Sequence, residues 1–240
     1  MAARKKSPFR YPKQNIRAII FDMDNTLLEL NVDWKKLTEE VDTDYFEGKY
    51  SQLTPHKFFV AFFSKLLEKL TKRQREEIRR KRLDEEASGI ATGTCFPYRG
   101  IISSLSKRYK LGVVSGNYAP TVSRALQRCG FKRYINAIVT IDDVPVSKPS
   151  PLPLLAALKR LRVDPAHAVY IGDHPDDIKA ARNAGMYSIG VLTSHRDYDS
   201  LSNEVPDFII KNLFDLEKTL VKLEEKIGGL AVPKGQSEKA

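Results

Sequence analysis

Two acidic residues separated by a single residue follow an apolar run near the beginning of the chain. In the stretch FDMDNTLL, residues 21–28, these residues are Asp22 and Asp24. Carboxylates this close repel each other, and a cluster of them stays ionised only beside a cation. The pair therefore predicts a site in which something positive holds the two side chains together.

Four further polar residues follow later apolar runs. Ser115 ends LGVVS, Lys148 lies in a loop before a predicted helix, and Asp173 and Asp177 follow AVYIG. The candidate metal ligands are oxygen atoms, and no His or Cys lies at ligand spacing. Mg²⁺ is therefore the cation that these residues favour. A lysine charge and a hydroxyl suit a phosphoryl group in transfer. The residues thus predict phosphoryl transfer, in which one carboxylate of the opening pair attacks phosphorus and the other handles the proton.

The elements that would position these residues are short apolar runs that alternate with amphipathic segments. Several runs are apolar almost throughout, as expected of strands covered on both faces of a parallel sheet. Ser150 and Pro151 predict a helix start, and Gly130 and Gly185 predict helix ends. This order is typical of a doubly wound α/β fold, whose ligands bind at the carboxyl ends of the strands. The predicted strands are IRAIIF (16–21), LGVVS (111–115), AIVTI (137–141), AVYIG (168–172), YSIGVL (187–192) and DFII (207–210).

A long interval between the first strand and LGVVS interrupts this alternation and predicts a helical insertion. The segment HKFFVAFFSKLLEKL (56–70) repeats apolar pairs at helical spacing, which predicts one buried face. The charged segment TKRQREEIRRKRLDEEAS (71–88) begins with a capping box, Thr71 to Gln74, and predicts a solvated helix whose arginines are not binding residues. VDWKKLTEEV (32–41) supplies another helix. The residues expected in the core of the insertion are Phe58, Phe59, Phe62 and Phe63.

The chain divides into a core, an insertion and two tails. We assign a basic tail to 1–15, the core to 16–30 and 97–227, the helical insertion to 31–96, and a flexible C-terminal tail to 228–240. Six basic residues precede Asp22, so more than half of the net charge of +10 lies there. Such a tail could contact nucleic acid, but no RNA-binding pattern accompanies it, and a solvated extension is the preferred interpretation.

The cysteines and the hydropathy pattern bear on the location of the protein. Cys95 and Cys129 lack CxxC spacing and are expected to be small core residues, which fits a reducing, cytoplasmic setting. No apolar stretch approaches the ~18 residues that a transmembrane helix needs, and the run after the basic start is too short for a signal peptide. We therefore expect a cytoplasmic protein without a membrane segment, and the choice between monomer and dimer stays open.

The same residues carry a resemblance to a known superfamily. FDMDNTLL resembles the DxDxT motif of the haloacid dehalogenase-like superfamily, VVSGN its Ser/Thr motif, VSKPSP its lysine motif and YIGDHPDDI its GDxxxD motif. The match runs from about Ile16 to Phe214, with the motifs in the right order. The four ordered motifs are far more specific than a single DxD. The resemblance implies a Rossmann-like core, and the insertion lies where this superfamily carries its C1 cap.

The resemblance also implies catalytic roles. Asp22 would be the nucleophile that forms an aspartyl-phosphate, and Asp24 would protonate the leaving oxygen and then activate water. Ser115 would hydrogen-bond the phosphoryl oxygens, and Lys148 would neutralise charge on the nucleophile and the phosphate.

It further implies ligand contacts. Mg²⁺ would bind Asp22, Asp173 and the backbone carbonyl of Asp24, and Asp177 would support this shell by orienting Lys148 or a metal-bound water. The residues implied in phosphate binding are Thr26, Gly116 and Asn117.

Other interpretations of single residues stay open. Asp24 and Thr26 could be turn and helix-cap residues, and Lys148 alone could be surface charge. Asp176 is interpreted as a first-turn helix charge and His174 as a solvent-facing loop residue. In the insertion, the loop YFEGKYSQLTPHK (45–57), with Lys49 and His56, is the segment best equipped to contact a leaving group.

The expected reaction is hydrolysis of a small phosphorylated metabolite, as in the phosphoglycolate phosphatase-like branch. A sugar-phosphate mutase would retain Asp24 and remains an alternative. A haloacid dehalogenase lacks the second acid and needs no metal, so Asp24 argues against it. A different class is a non-hydrolytic phosphate-responsive or nucleic-acid-associated protein, which would have no use for a general base.

Overall fold

The computed structural model of the protein describes residues 16–193 and 198–230. The predicted basic tail, 1–15, lies outside the described residues, and so do residues 231–240. The last helix continues to Leu230, past the position 228 at which the C-terminal tail was predicted to begin.

A six-stranded parallel sheet forms the centre of the fold. Its strand order is β5-β4-β1-β6-β7-β8, and a separate two-stranded antiparallel pair joins β2 to β3. The strands are β1 (Ala18–Phe21), β2 (Leu28–Glu29), β3 (Thr94–Cys95), β4 (Lys110–Val114), β5 (Ala137–Val139), β6 (Ala168–Gly172), β7 (Tyr187–Val191) and β8 (Phe208–Ile210). All six predicted strands are confirmed, with ends that differ by at most two residues.

Helices cover both faces of the sheet. The α-helices are α1 (Trp34–Phe46), α2 (Pro55–Ala61), α3 (Lys72–Thr92), α4 (Arg99–Leu105), α5 (Ala119–Arg128), α6 (Leu152–Leu161), α7 (Pro175–Asn183), α8 (Tyr198–Ser202) and α9 (Leu216–Leu230). Ile19 and Phe21 of β1 pack in one apolar cluster with residues of α4, α5 and α9. Ala18 and Ile20 pack on the opposite face with residues of α6 and α7. Because β1 is buried on both faces, its sequence is continuously apolar, and the predicted doubly wound fold is confirmed.

Two predicted helix ends are confirmed, and one helix start is wrong by one residue. Gly130 and Gly185 follow α5 and α7 with φ of +73°, the left-handed conformation that ends helices. The predicted start at Pro151 is wrong because α6 begins at Leu152. Ser150 still contributes there, since its hydroxyl oxygen accepts the N–H of Leu152 at 3.3 Å.

The insertion is helical and has its own apolar core. Phe58 and Phe62 are buried in a cluster with residues of α1 and α3, and Phe59 and Phe63 pack partly buried against it. The predicted capping box of Thr71 is confirmed. The predicted helix over 56–70 is α-helical only to Ala61 and continues as a π-helical turn (Phe62–Leu66) and a 3₁₀ turn (Leu67–Lys69). The other 3₁₀ turns are Lys132–Tyr134, Pro165–His167 and Leu213–Asp215.

The cysteines correct one prediction. Cys95 of β3 and Cys129, which follows α5, are joined in a disulfide with a Cα–Cα distance of 5.3 Å. The expectation of two separate core thiols is therefore wrong, and the argument for a reducing compartment that rested on it falls. The two residues are 34 positions apart, and only the packing of α5 against the end of the insertion brings them together. Among the described residues, no helix is long and apolar enough to cross a membrane.

Candidate active site

Three predicted site residues come directly after parallel strands. Asp22 follows β1, Ser115 follows β4 and Asp173 follows β6. The ladder continues one step beyond the strands, because the N–H of Asp22 donates to Ile171 at 2.8 Å and the N–H of Ser115 donates to Val139 at 3.0 Å. All three side chains are therefore at the carboxyl edge of the sheet, and all three residues are buried.

Lys148 lies among acidic groups. Its Nζ is 2.5 Å from Asp22 Oδ1 and 2.5 Å from Asp177 Oδ1, and it donates to the Tyr170 hydroxyl at 3.1 Å. Burial alone would lower the pKa of Lys148, but the two carboxylates outweigh it and hold that pKa well above its usual value. Lys148 therefore stays protonated and keeps its positive charge next to the Asp22 carboxylate. Tyr170, a β6 residue, was not among the predicted site residues.

Asp177 is fixed by the start of α7. Its Oδ2 accepts the backbone N–H of His174 at 2.9 Å, while its Oδ1 contacts Lys148. A Cβ on Gly172 would lie 2.3 Å from Asp177 Oδ2, so only glycine leaves room for this carboxylate. The close approach explains the glycine of the YIGDHPDDI motif.

Asp24 meets the loop that follows β4. Asn117 Nδ2 donates to Asp24 Oδ2 at 2.5 Å, and the N–H of Asn117 donates to Ser115 Oγ at 3.2 Å. Asp24 Oδ1 and Thr26 Oγ1 are buried without a hydrogen-bond partner in the part of the chain that the structure describes. These two buried oxygens belong to the DxDxT segment after β1, and a polar ligand could supply the hydrogen bonds that they lack.

The two carboxyl groups of the DxD motif have different environments. Burial raises the pKa of Asp22 to about 6, with Lys148 opposing the shift. Burial, with the charge of Asp22 as the next cause, raises the pKa of Asp24 to about 7. The ammonium group of Lys148 therefore favours the ionised form of Asp22, whereas the neighbouring charge of Asp22 favours the protonated form of Asp24.

Three carboxylates at this edge can share a cation. One oxygen each of Asp22, Asp173 and Asp177 lies within 4.8 Å of the others, and all three residues are buried. An all-oxygen donor set of this kind fits Mg²⁺. The predicted ligands Asp22 and Asp173 belong to the group, and Asp177, predicted as a supporting residue, belongs to it too.

The charged helix α3 is not a fully solvated helix, which corrects the prediction for its arginines. Arg82 is only 4% exposed, and its Nε donates to Glu86 Oε1 at 2.7 Å. Its Nη2 donates to the carbonyl oxygen of Gly116 at 2.7 Å and to Asn117 Oδ1 at 3.2 Å. Arg82 of the insertion therefore hydrogen-bonds the predicted phosphate-binding loop at Gly116 and Asn117.

Residues 19–191 match the model of the haloacid dehalogenase-like hydrolases. The chain belongs to this family.

Curated relatives include bacterial enzymes named pyrophosphatase PpaX. This haloacid dehalogenase-like hydrolase is 29% identical to PpaX of Oceanobacillus iheyensis over 84% of the chain and 95% of that protein. It is 28% identical to PpaX of Bacillus pumilus over 85% of the chain and 96% of that protein.

Solved structures confirm the fold. A hydrolase from Pseudomonas syringae aligns with a TM-score of 0.66 at 22% identity, over 86% of this chain and 99% of that one. A predicted phosphoglycolate phosphatase from Haemophilus somnus aligns with a TM-score of 0.63 at 20% identity, over 85% and 97%. At these identities the likeness concerns the fold alone.

One segment of the insertion also contacts the core of the hydrolase near Asp173. His56, the second residue of α2, pairs with Asp176 Oδ2 at 2.8 Å, and its ring centroid is 4.2 Å from that of His174. His174 is only partly exposed, so its interpretation as a solvent-facing loop residue is wrong. Lys49, from the same predicted loop, pairs with Glu47 and remains exposed.

Proposed function

We propose that this phosphatase of the haloacid dehalogenase-like family depends on Mg²⁺ and hydrolyses a small phosphomonoester through an aspartyl-phosphate on Asp22. The observation that carries the proposal is the unequal environment of the two DxD carboxyl groups. Lys148 contacts Asp22 at 2.5 Å, whereas the partly buried Asp24 has a pKa raised to about 7. Asp22 contacts an ammonium group and Asp24 contacts the amide of Asn117, and neighbouring carboxyl groups in such different environments are suited to separate nucleophile and acid roles.

The first step forms the phosphoenzyme. A carboxylate oxygen of Asp22 attacks phosphorus, the bond from phosphorus to the leaving oxygen breaks, and Asp24 gives its proton to that oxygen. Ser115 Oγ already accepts the N–H of Asn117, so its own hydroxyl hydrogen remains to donate to a phosphoryl oxygen. Lys148 keeps its positive charge beside Asp22 throughout.

The second step restores the enzyme. Asp24, now ionised, takes a proton from water as the water oxygen attacks phosphorus, and the bond between phosphorus and Asp22 breaks to release phosphate. Mg²⁺ held by Asp22, Asp173 and the backbone carbonyl of Asp24, with Asp177 beside them, would supply positive charge against the phosphoryl oxygens. The insertion, as a C1 cap over 31–96, would exclude bulk water from the first step.

Inorganic pyrophosphate is the second candidate substrate. Its hydrolysis uses the same steps, with phosphate as the leaving group. The full-length similarity to proteins named pyrophosphatase PpaX supports it. Asp24 argues against the dehalogenase and switch alternatives, because neither needs a general acid.

A phosphate-release screen with Mg²⁺ tests the proposal. The substrates are pyrophosphate, phosphoglycolate, sugar phosphates and nucleotides, and Asp22→Asn is the matched control. We expect multiple turnovers that Asp22→Asn abolishes and that EDTA stops until Mg²⁺ is restored. Release equal to that of Asp22→Asn, or full activity in EDTA, would overturn the proposal.

A further inference from the structure

A residue of the insertion reaches the general acid through one intermediate side chain. Arg82 on α3 donates to Asn117 Oδ1 at 3.2 Å, and Asn117 Nδ2 donates to Asp24 Oδ2 at 2.5 Å. Asn117 is 3% exposed and Arg82 4%, so water does not compete freely for either contact. The chain of contacts runs from the insertion to the core without a gap.

The arginine decides which way the amide of Asn117 points. An asparagine amide has one accepting end and one donating end, and the two are nearly equal in shape. A guanidinium group has only donors, so the amide oxygen must face Arg82. Nδ2 then necessarily faces Asp24. Without a cation on the Arg82 side, the reversed amide would place its oxygen against the Asp24 carboxyl group.

The amide in turn separates the two oxygens of Asp24. Oδ2 accepts the Asn117 N–H and is therefore occupied as an acceptor. Oδ1 is buried and has no hydrogen-bond partner among the described residues, so it is the oxygen available to a substrate. The contact with Asn117 thus leaves Oδ1 to carry the proton toward the leaving group.

Arg82 is held for this contact from several sides. Its Nε binds Glu86, whose Oε2 accepts the Thr121 hydroxyl of α5 at 2.5 Å, and Glu86 is fully buried. The guanidinium carbon lies 4.6 Å from the ring centroid of Phe59 and 5.1 Å from that of Tyr118. Ion pair and aromatic faces together restrict the rotamers of the arginine. The contacts from Arg82 through Asn117 to Asp24 therefore depend on the packing of the insertion against the core.

We propose that Arg82 is a positioning residue for the proposed phosphatase reaction. It fixes the amide of Asn117 and so reserves Oδ1 of Asp24 for the leaving oxygen. This role rests on the proposed function of Asp24 as the acid of the first step. It gives the insertion a part in the chemistry that is separate from covering the site.

Leaving-group dependence is the measurement that tests the role. The reaction of Arg82→Gln is compared with wild type as kcat/KM over aryl and alkyl phosphates of increasing leaving-group pKa, because kcat/KM reports the step that Asp24 assists as an acid. We expect a loss of about 10- to 100-fold for alkyl phosphates and less than about 3-fold for dinitrophenyl phosphate, since a good leaving group needs no proton. Arg82→Lys should recover part of the loss because lysine also offers only donors.

Three further variants separate positioning from folding. Arg80→Gln changes an exposed arginine of the same helix and should behave as wild type. Asn117→Ala removes the amide that links Arg82 to Asp24 but leaves the pair of Arg82 with Glu86 in place. It should show the same dependence on leaving-group pKa as Arg82→Gln. The double variant Arg82→Gln/Asn117→Ala should lose no more than either single variant, because residues that act as one unit are not additive.

The outcomes distinguish this role from the proposed function. A uniform loss over all leaving groups, or additive losses in the double variant, would overturn the role of Arg82 alone. A wild-type enzyme without turnover that depends on Asp22 would overturn the proposed function and this role together.

Discussion

Two buried charge clusters meet at the active site, one from the core and one from the insertion, and their balance of charge differs. In the core, Lys148 is the one cation that contacts Asp22 and Asp177 among residues 16–193 and 198–230, and Asp173 joins the same group of carboxylates. In the insertion, one arginine, Arg82, pairs with one glutamate, Glu86, at 2.7 Å. The core cluster has an excess of negative charge, and the insertion cluster is neutral.

This difference separates a reactive cluster from a positioning one. Excess negative charge raises the pKa of a buried carboxyl group and favours the binding of a cation. Phosphoryl transfer needs a cation at such a site. A neutral pair creates no such demand and serves to hold side chains in place. Substitutions in the core cluster should therefore affect turnover more than substitutions in the insertion cluster.

Removing the Lys148 cation from the core cluster should have the largest effect. Lys148→Met removes the positive charge that contacts both Asp22 and Asp177. We expect kcat to fall by about 10³-fold or more and the free energy of unfolding to fall by about 3–5 kcal/mol. Lys179→Met, which removes a surface cation paired with Asp176 and Glu204, should cost less than about 1 kcal/mol. Phosphate release and chemical denaturation measure the two quantities, and equal losses in the two variants would contradict the distinction.

Breaking the neutral cluster should have the next largest effect. Glu86→Gln leaves the Arg82 charge buried without its partner and should lower the free energy of unfolding by about 3 kcal/mol. The double variant Arg82→Met/Glu86→Met removes both charges and should recover most of that stability, as measured by denaturation. It should not recover turnover of alkyl phosphates. A double variant less stable than Glu86→Gln would show that the pair is not a neutral unit.

The core cluster could be predicted from the sequence, whereas the insertion cluster could not. Asp22, Ser115 and Asp173 each follow a continuously apolar run, and the parallel sheet gathers the ends of such runs at one edge. Their positions therefore follow from pattern alone. Lys148 and Asp177 lie outside strands but within the four ordered motifs.

Arg82 and Glu86 lie in a helix whose charge pattern suggests solvent on every side. The buried residues of α3 are Ile78, Arg82, Glu86 and Gly89. Their spacing of three and four residues is a helical stripe that an apolar pattern cannot reveal, because two of its members are charged. An arginine four residues before a glutamate on the stripe of Ile78 was the available signal. The pairing of Cys95 with Cys129 left no comparable signal.

The raised pKa of Asp24 predicts a pH dependence of stability. In the unfolded chain Asp24 ionises near its ordinary pKa of 3.8, but in the folded protein it keeps its proton up to about 7. Between these values the folded state binds more protons, so the free energy of unfolding must fall as pH rises and level off above about 7. Asp24→Asn removes this contribution. In EDTA, the free energy of unfolding of Asp24→Asn should therefore fall less between pH 5 and pH 8 than that of wild type, by on the order of 2 kcal/mol.

Denaturation at each pH measures this difference. Asp142→Asn, at a partly exposed acid that pairs with Arg79, is the control and should leave the slope of wild type unchanged. Parallel slopes for wild type and Asp24→Asn would contradict the assignment of the proton to Asp24.

The smallest effect is expected at the contact between His56 and the core. His56 lies against His174, the neighbour of Asp173, whereas Lys49 pairs with Glu47 in solvent. Of the two residues predicted to contact a leaving group, only His56 is therefore placed to do so. His56→Gln should change the relative kcat/KM values of phosphomonoesters by only about 2- to 5-fold, because His56 is exposed and water competes for its contacts. Binding of vanadate, which mimics the phosphoryl group alone, should remain nearly unchanged, since the core holds that group.

Lys49→Ala is the matched control from the same segment and should leave the ranking of substrates as it is. If both variants rank the substrates as wild type does, the leaving group is recognised elsewhere in the insertion or by the loops around Asn117 and His174.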